Sequence, residues 1–430
     1  MSKSQLANTI EKISGKTSRK AVKRIAIFFG QSGALAIAPL LISIASVISV
    51  PVILSARGES FWVSVAVGQA LGEIGRAVTI WGYGGRIAYV SSLHPEERAR
   101  FYEISVRLRG IVFVLTMPIL CLVAWFIPVS NPLVSILMVV AGCTYGLGAS
   151  WMFVATSSPK DLVIFDALPR GFGIAFGAFT LLFFSGQGSE IIYGAFVILG
   201  GVLGAVMAWW KLSLNGKVRN NFAISRTNIW NEAVEGLPGL TYTLALTTRL
   251  SLPVTLVPIL VTSSGAVLAL GDKLLRWLNT GFTPIVQLLQ TKVLRGEGTA
   301  REMIRRATWL SFILGTLVAL VSTIVIPVLS NIVGVGQVKI DLLSALPLGI
   351  ALGSIALTTV LGLSVLPMLE SRRTTMPAAL VSVAALLVFL PILSSRFGEV
   401  GAFWALALAE IIIATMQSFV IFIGIRLMKS

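Results

Sequence analysis

Long apolar runs alternate with short polar connections along the whole chain. A helix needs about 20 apolar residues to cross a bilayer. Twelve runs of that order can be delimited, at residues 25–53, 61–83, 106–128, 132–156, 163–185, 189–210, 236–262, 265–289, 305–330, 342–368, 376–394 and 400–426. Only Thr262-Ser263-Ser264-Gly265 separates the seventh run from the eighth, and we expect a tight turn there. The pattern predicts an all-α polytopic membrane protein of about twelve spans.

The longest polar connection, residues 211–235, lies between spans 6 and 7 and divides the chain into two halves. Six spans are an even number, so both halves have the same orientation, as in a parallel repeat. Each half contains an acid followed by a base on one helix face, Glu73 and Arg76 in span 2 and Asp272 and Arg276 in span 8. We therefore expect a basic N-terminal segment (1–24), an N-terminal six-helix bundle (25–210), a cytoplasmic linker (211–235) and a C-terminal six-helix bundle (236–426).

The composition excludes a water-soluble protein. Hydrophobic residues make up 56% of the chain and charged residues 12%, whereas about 25% of a soluble domain is charged. So little polar surface rules out a cytosolic enzyme, a secreted domain and a disordered chain.

The basic residues lie mainly on one side of the predicted spans. Of 34 Lys and Arg, 27 fall at the termini or in the connections that follow even-numbered spans, and Arg109, before span 3, is one of them. Three lie in the opposite connections: Arg57, Lys339 and Arg396. By the positive-inside rule both termini are cytoplasmic. The net charge of +16 thus indicates topology and not a nucleic-acid partner. Residues 1–24 are expected to contact anionic phospholipid.

Four bases remain inside spans, where a charge costs at least about 2.5–3.5 kcal/mol and usually faces a cavity or a partner. They are Arg76, Arg249, Lys273 and Arg276. From their depth along the helices we expect them to share one central layer between the halves.

The acids of spans 2 and 8 do not balance these bases. If Glu73 pairs with Arg76 and Asp272 pairs with Arg276, then Arg249 and Lys273 have no counter-charge. A cavity with excess positive charge attracts an anion, and the guanidinium fork suits phosphate. The alternative is that these charges are structural ion pairs between the halves.

Three further charged residues are candidates. Glu410 lies in span 12 with no base within one turn, so it either couples transport to H⁺ or Na⁺ or hydrogen-bonds a neighbouring helix. Asp166 and Arg170, at the start of span 5, either line the cytoplasmic mouth of a cavity or form a solvated helix end.

No catalytic or metal-binding motif is present in the sequence. The single histidine, His94, lies in a charged loop, and Cys121 and Cys143 lie in apolar runs. No phosphate-binding G-x-x-x-x-G-K-[ST] sequence occurs. We therefore expect no cofactor other than a coupling ion, and no enzymatic activity.

At several positions the sequence resembles the Wzx-type lipid-linked oligosaccharide flippases of the multidrug/oligosaccharidyl-lipid/polysaccharide (MOP) exporter superfamily. The similar stretches are Pro51–Phe61 with Gly68–Leu71, Asp272–Arg276 with Pro284–Gln287, Leu366–Arg373, and Gly398–Ala402 with Ala409-Glu410. Each motif is short, but together they extend over most of the chain. Glu73 and the very short outer loops depart from the family pattern.

The resemblance implies two six-helix bundles in a V around a cationic lumen, in a bacterial inner membrane. It implies export of an undecaprenyl-diphosphate-linked oligosaccharide, such as an O-antigen repeat unit, by alternating access. Arg76, Arg249, Lys273 and Arg276 would be lumen cations, and a polysaccharide polymerase and glycosyltransferases would be partners.

Other functions stay open. A cation-coupled multidrug (MATE-like) antiporter would need a deep carboxylate, but spans 1 and 7 contain no Asp or Glu. A peptidoglycan lipid-precursor flippase is a second alternative, although it often has additional spans. A membrane glycosyltransferase or polymerase usually has a large catalytic loop, which this sequence lacks.

Overall fold

Helices joined by short connections make up the computed structural model of this protein. It describes residues 3–184, 186–215, 226–261, 265–294, 299–369 and 375–427. No β-strand occurs in these residues, so the predicted all-α fold class is confirmed.

The helices follow the predicted order, and we keep the span numbers for them. In the first half, spans 1 and 2 form Lys3–Ile80, followed by the short helices Tyr83–Arg86 and Ile87–Ser92. Span 3 is Pro95–Phe126, span 4 is Pro132–Gly146 and Ser150–Ala155, span 5 is Pro159–Leu162, a π-helical turn Val163–Ala167 and Leu168–Phe183, and span 6 is Gln187–Asn215.

In the second half, span 7 is Arg226–Leu260, span 8 is Ala266–Leu294 and span 9 is Ala300–Val333. Span 10 is Leu342–Val360, a π-helical turn Leu361–Val365 and Leu366–Met368, and spans 11 and 12 form Thr375–Leu427.

Two glycines interrupt the two longest helices. Gly58 (φ 77°) lies inside Lys3–Ile80 and Gly398 (φ 59°) lies inside Thr375–Leu427. Only glycine adopts positive φ without strain, so both helices break at the positions where spans 1 and 2, and spans 11 and 12, were expected to be joined. The count of twelve and the cytoplasmic position of the termini stay predictions.

Helix extends into the predicted connection between the halves from both sides. It continues to Asn215 and begins again at Arg226, so residues 211–215 and 226–235 are helical. Residues 216–225 lie outside the described part of the chain. The turn expected at Thr262-Ser263-Ser264 also lies outside it, between helices that end at Leu260 and begin at Ala266.

The outward faces of the helices are apolar. In the described residues, nine helices are long and apolar enough to cross a membrane. Their exposed large side chains recur every three or four residues, as with Leu115, Ile119 and Leu122 in span 3 and Leu317, Leu320 and Ile324 in span 9. Continuous apolar surface of this extent is not found on soluble monomers, so the protein is a multi-pass membrane protein.

An apolar core joins the two halves at the ends that the charge pattern predicts to lie outside. One cluster contains Ile53 and Trp62 from spans 1 and 2 together with Val257, Leu268 and Phe403 from the second half. At the opposite ends the core forms smaller clusters, one around Tyr83, Phe101 and Trp151, against which Ile229 and Ala233 of the second half pack, and another around Leu361 and Ile421. The halves therefore enclose a space that the core seals from the outside.

An ion-pair group joins the halves at one point of the surface that the charge pattern predicts to be cytoplasmic. Arg86, after span 2, lies 2.6 Å from Glu232 and 3.0 Å from Glu235, both at the start of the span 7 helix. Nearby, the Trp81 indole donates a hydrogen bond to the Ala233 carbonyl at 2.9 Å.

Span 2 packs on span 4 through glycines. A Cβ atom added at Gly142 would overlap the backbone of Gly72. Small residues of this kind let membrane helices approach closely. The contact fixes the rotation of span 2, and hence the direction in which Glu73, the next residue, projects.

We expect Gly142→Ala to lower the stability of the protein, because the new methyl group would push spans 2 and 4 apart. Overpacking of this kind costs about 1–3 kcal/mol. Thermal denaturation in detergent measures the effect. The control is Gly110→Ala in span 3, where an added Cβ would meet no atom within 4 Å. Equal stability of the two variants would contradict the role of the glycine contact.

Candidate functional site

A cavity of about 1010 Å³ lies between the halves. Spans 1, 2, 4 and 5 of the first half form most of its wall, and span 8 of the second half closes it. Its lining extends from Gln69, about halfway between Gly58 and the end of span 2, and Met138, in the second turn of span 4, to Val154 at the end of span 4 and Leu162 at the start of span 5. The cavity therefore lies on the side of the apolar seal that the charge pattern predicts to be cytoplasmic.

Most of the charged residues predicted as site residues meet at this cavity. Glu73, Arg76, Lys273, Arg276, Asp166 and Arg170 line it. Asp272 lies behind this layer, against Arg276, whereas Arg249 and Glu410 lie elsewhere.

The pairs on spans 2 and 8 form as their spacing predicts. Glu73 lies 2.7 Å from Arg76, and the Arg276 Nε lies 2.9 Å from both carboxylate oxygens of Asp272. The side chains of Arg76 and Arg276 nevertheless keep 40% and 23% of their surface exposed. Each carboxylate thus orients its guanidinium. The Arg276 Nη2 also donates to the Ser251 hydroxyl at 3.3 Å, and the remaining N–H groups can face the cavity.

Lys273 has no ion-pair partner within 4 Å among the residues described, although Glu73 and Asp272 are within electrostatic range. The cationic groups of the site, Arg76, Arg170, Lys273 and Arg276, outnumber the carboxylates, Glu73, Asp166 and Asp272, by one. The cavity therefore carries an excess positive charge, and Lys273 supplies it.

Asp166 and Arg170 are buried in the cavity wall and do not form a solvated helix end. Their side chains are 6% and 8% exposed, and their charged atoms lie 2.6 Å apart. Arg170 also donates to the Tyr145 carbonyl at 2.9 Å, and its guanidinium lies 4.8 Å from the centre of the Tyr145 ring. The π-helical turn Val163–Ala167 contains Asp166 and sets the direction of its side chain.

The helical break in span 4 explains why a second arginine is buried nearby. The helix stops at Gly146 and resumes at Ser150, which leaves carbonyl groups without intrahelical partners. Arg109 from span 3 donates to the carbonyls of Gly146, Leu147 and Gly148 at 3.2, 3.1 and 2.6 Å.

Sequence analysis placed Arg109 in the basic cluster before span 3, and the structure shows that its side chain lies inside the protein. The residue is 0% exposed, and its guanidinium lies within about 6 Å of the ring centres of Tyr83, Tyr102 and Trp151. Arg109 and Arg170 together satisfy the carbonyls of the break from its two sides. The break is thus stabilised by these arginines and is a defined part of the cavity wall.

Arg249 and Glu410 form a separate buried pair. The Arg249 Nε lies 2.7 Å from the Glu410 Oε1, and Arg249 Nη1 donates to the Ser382 hydroxyl at 3.1 Å. The residues are 4% and 0% exposed. The expectation that Arg249 is an unpaired cation lining the cavity is wrong, because span 12 packs on span 7 and brings Glu410 to it.

Two cavity residues were not recognised as site residues from the sequence. Gln69 lines the cavity, and its side-chain oxygen is buried without a hydrogen-bond partner among the described residues. The spacing of Gln69, Glu73 and Arg76 places them on one helix face, so this periodicity was a signal that could have found Gln69. Nothing in the sequence around Tyr145 indicates its contact with Arg170, which comes from another span.

Comparison with known proteins shows the fold of this chain. No protein-family model matches the chain, and no curated protein matches it. The lipid II flippase MurJ, in an inward closed conformation, is similar in structure with a TM-score of 0.61 at 10% identity, over 90% of this chain and 87% of MurJ. The Vibrio cholerae MATE transporter VcmN has a TM-score of 0.51 at 15% identity, over 93% of this chain and 97% of VcmN.

An inward-facing multidrug resistance MATE transporter of the MOP superfamily has a TM-score of 0.50 at 14% identity, over 93% of this chain and 94% of that transporter. The chain has the fold of the MOP-superfamily transporters. At these identities the likeness concerns the fold alone. The charges and hydrogen bonds of the cavity described above are those of this chain's own residues and are not inferred from these transporters.

We expect Arg109→Leu to destabilise the protein strongly, because the buried carbonyls of the span 4 break would lose their donor. One unsatisfied buried group costs about 1–3 kcal/mol. Arg107→Leu is the matched control, since Arg107 is exposed on the same helix. Thermal denaturation in detergent compares the two variants. If both unfold at the same temperature, Arg109 does not stabilise the break.

Proposed function

We propose that this protein is a flippase that moves an undecaprenyl-diphosphate-linked oligosaccharide from the cytoplasmic to the outer leaflet of a bacterial cell membrane. The observation that carries the proposal is the cavity between the halves, which has excess positive charge and is sealed towards the outside. The fold shared with MurJ and the MATE transporters supports a transporter.

The diphosphate binds between the two halves in this proposal. Lys273 provides a point charge, while Arg76 and Arg276 offer planar N–H groups that are already oriented by Glu73 and Asp272. Guanidinium groups bind phosphate oxygens in bidentate geometry. Because Arg76 lies in the first half and Arg276 in the second, a bound diphosphate contacts both halves.

The glycan extends towards the cytoplasm from this point. Continuing along span 8 from the cations, the cavity is lined by Trp277, Asn279, Thr280 and Thr283. Amide and hydroxyl groups can hydrogen-bond sugar hydroxyls, and an aromatic ring offers an apolar face to a sugar ring.

The lipid tail remains beside span 1. On one side of this helix, apolar residues such as Leu35, Pro39 and Ile42 line the cavity, and on the other Ile44 and Ile48 are exposed to the bilayer. Pro39 lies inside the helix and permits it to bend. Only one helix therefore separates the phosphate-binding region from the acyl chains.

No covalent chemistry is needed in this cycle, so we propose a transporter and not an enzyme. Glycosyltransferases assemble the glycan on the cytoplasmic side. The halves then rock about the bound headgroup, the outer seal opens, and the glycan is delivered outside to a polymerase. The basic residues of segment 1–24 bind anionic phospholipid at the cytoplasmic surface.

A peptidoglycan lipid-precursor flippase is the second candidate, and the similarity to MurJ favours it. A MATE-like multidrug antiporter is less well supported by the site. A cationic drug requires net negative charge, whereas Glu73 and Asp166 are each paired with an arginine and Lys273 adds positive charge.

We expect Lys273→Ala to weaken binding of a farnesyl-diphosphate-linked N-acetylglucosamine by about tenfold or more, because a charge-assisted phosphate contact contributes about 1.5–3 kcal/mol. Calorimetry with the purified protein measures the affinity. Lys273→Arg retains most of it. Lys339→Ala, at an exposed position in an outer connection, is the matched control and binds as the unmodified protein does.

A competition experiment separates the candidate classes. Tetraphenylphosphonium, a permanent cation, should not displace the diphosphate probe, because the cavity already has excess positive charge. Saturable binding of tetraphenylphosphonium with no binding of the diphosphate probe would identify a cationic-drug transporter and refute the flippase proposal. In cells, surface polysaccharide produced as well with Lys273→Ala as with Lys339→Ala would also contradict it.

A further inference from the structure

The carboxylate of Asp166 is not required to stabilise the break in span 4. Arg170 donates to the Tyr145 carbonyl and so supports this break. Arg109 supports the same break with three hydrogen bonds, and it has no carboxylate partner among the described residues. An arginine is therefore held at the break without an acid, so the acid beside Arg170 has another role.

The pair of Asp166 and Arg170 has hydrogen-bonding capacity that the protein leaves unused. The two residues are 4% and 7% exposed. The Asp166 Oδ1 lies 2.6 Å from the Arg170 Nη2, but neither this oxygen nor the Arg170 Nε has a hydrogen-bond partner in the described part of the chain. Most buried polar groups in proteins are hydrogen-bonded. Because both residues line the cavity, a molecule inside the cavity can supply the partners.

The pair is the polar part of an otherwise apolar stripe of span 5. Four residues of this span line the cavity at intervals of four, in the order Leu162, Asp166, Arg170 and Ile174. The charges of the pair cancel, so this stripe favours neither an anion nor a cation. A carboxylate only accepts hydrogen bonds and a guanidinium only donates them. A neutral ring with hydroxyl groups at its edge, which is the chemistry of a sugar, matches this surface.

Span 4 places the pair next to the proposed phosphate site. A Cβ atom added at Gly146 would lie 3.1 Å from the Arg76 carbonyl oxygen, and one added at Gly148 would overlap the Arg170 guanidinium. These two glycines are only two positions apart in the chain. Tyr145, which precedes them, lines the cavity and contacts Arg170 with its ring. A ligand held by Arg76 therefore has its nearest neighbouring group at the pair.

We propose that Asp166 and Arg170 bind hydroxyl groups of the sugar that is attached directly to the diphosphate of the cargo, and that they select which sugar the carrier accepts. The carboxylate accepts hydrogen bonds from hydroxyl groups of this sugar, and the Arg170 Nε donates one to a sugar oxygen. A sugar without a matching hydroxyl is rejected, because it leaves these buried groups unpaired. The inference rests on the proposed function, since the diphosphate determines where the sugar lies.

The test compares diphosphate ligands with and without a sugar. One ligand is farnesyl diphosphate, and the others carry glucose, galactose or N-acetylglucosamine on the same diphosphate. Calorimetry with the purified full-length protein gives each Kd. The measured quantity is the ratio of the Kd without a sugar to the Kd with the sugar that binds most tightly. We expect a ratio of about ten or more, because the sugar adds a hydrogen bond to a charged group.

Asp166→Asn should lower this ratio by about fivefold or more, since it replaces a charged acceptor by a neutral one of similar shape. Loss of a negative charge favours all the diphosphate ligands, so the ratio identifies the sugar contact better than any single affinity. Asp161→Asn is the matched control. Asp161 begins the same span, lies 3.9 Å from Lys211 and does not line the cavity, so the ratio should stay unchanged.

Gly148→Ala moves the pair without changing any charge. The added Cβ atom would overlap the Arg170 Nη2 and lie 2.9 Å from the Asp166 Oδ1. Both atoms are ends of side chains, which can move while the backbone keeps its fold. The ratio should therefore fall in this variant as well. It should not fall in Gly110→Ala, where the added atom meets no other atom within 4 Å.

The possible failures can be told apart. If the unmodified protein binds farnesyl diphosphate and every sugar-bearing ligand equally, or if Asp166→Asn keeps the full ratio, the pair does not bind the sugar. The inference is then refuted, while the binding of farnesyl diphosphate still supports the flippase. If the unmodified protein binds no diphosphate ligand at all, the flippase proposal fails and the inference fails with it.

Discussion

The constraint on which this structure depends is that charges inside a membrane must be compensated by the protein itself. Few charged residues occur in the spans, and most lie in pairs: Glu73 with Arg76, Asp166 with Arg170, Asp272 with Arg276 and Arg249 with Glu410. A medium that cannot solvate ions makes each unpaired charge expensive. Arg109 and Lys273 have no carboxylate partner among the described residues. Arg109 is held by the carbonyls of span 4, whereas Lys273 lies where the halves leave a cavity.

The same constraint applies to the backbone. Where span 4 is interrupted, its carbonyls cannot be hydrated, and the protein satisfies them with two arginines, Arg109 from behind and Arg170 from the cavity. The interruption, the glycine contact of Gly72 with Gly142 and the π-helical turn before Arg170 together shape one wall. Arginine therefore has two functions in this fold: it stabilises broken helices, and it provides positive surface for an anion.

Much of the architecture followed from the sequence, because apolar length and one-sided basic residues are local properties. The helical class, the order of the helices and the breaks at Gly58 and Gly398 agree with the pattern. The pairs within spans 2 and 8 were also predictable, since three- and four-residue spacing places both charges on one helix face. Contacts between different spans were not predictable in this way, and each correction concerns such a contact.

By itself, the sequence determined that the chain is a helical membrane protein with an excess of positive charge in its spans. Hydropathy and charge are sums over residues, and they do not depend on how helices pack. Only the tertiary structure decided which charges are free. It brought Glu410 to Arg249 across 161 positions, buried Arg109 against the span 4 break, and left Lys273 in the cavity. Helix packing decides which residues of different helices become neighbours. Whether a charge is compensated depends on these neighbours in space.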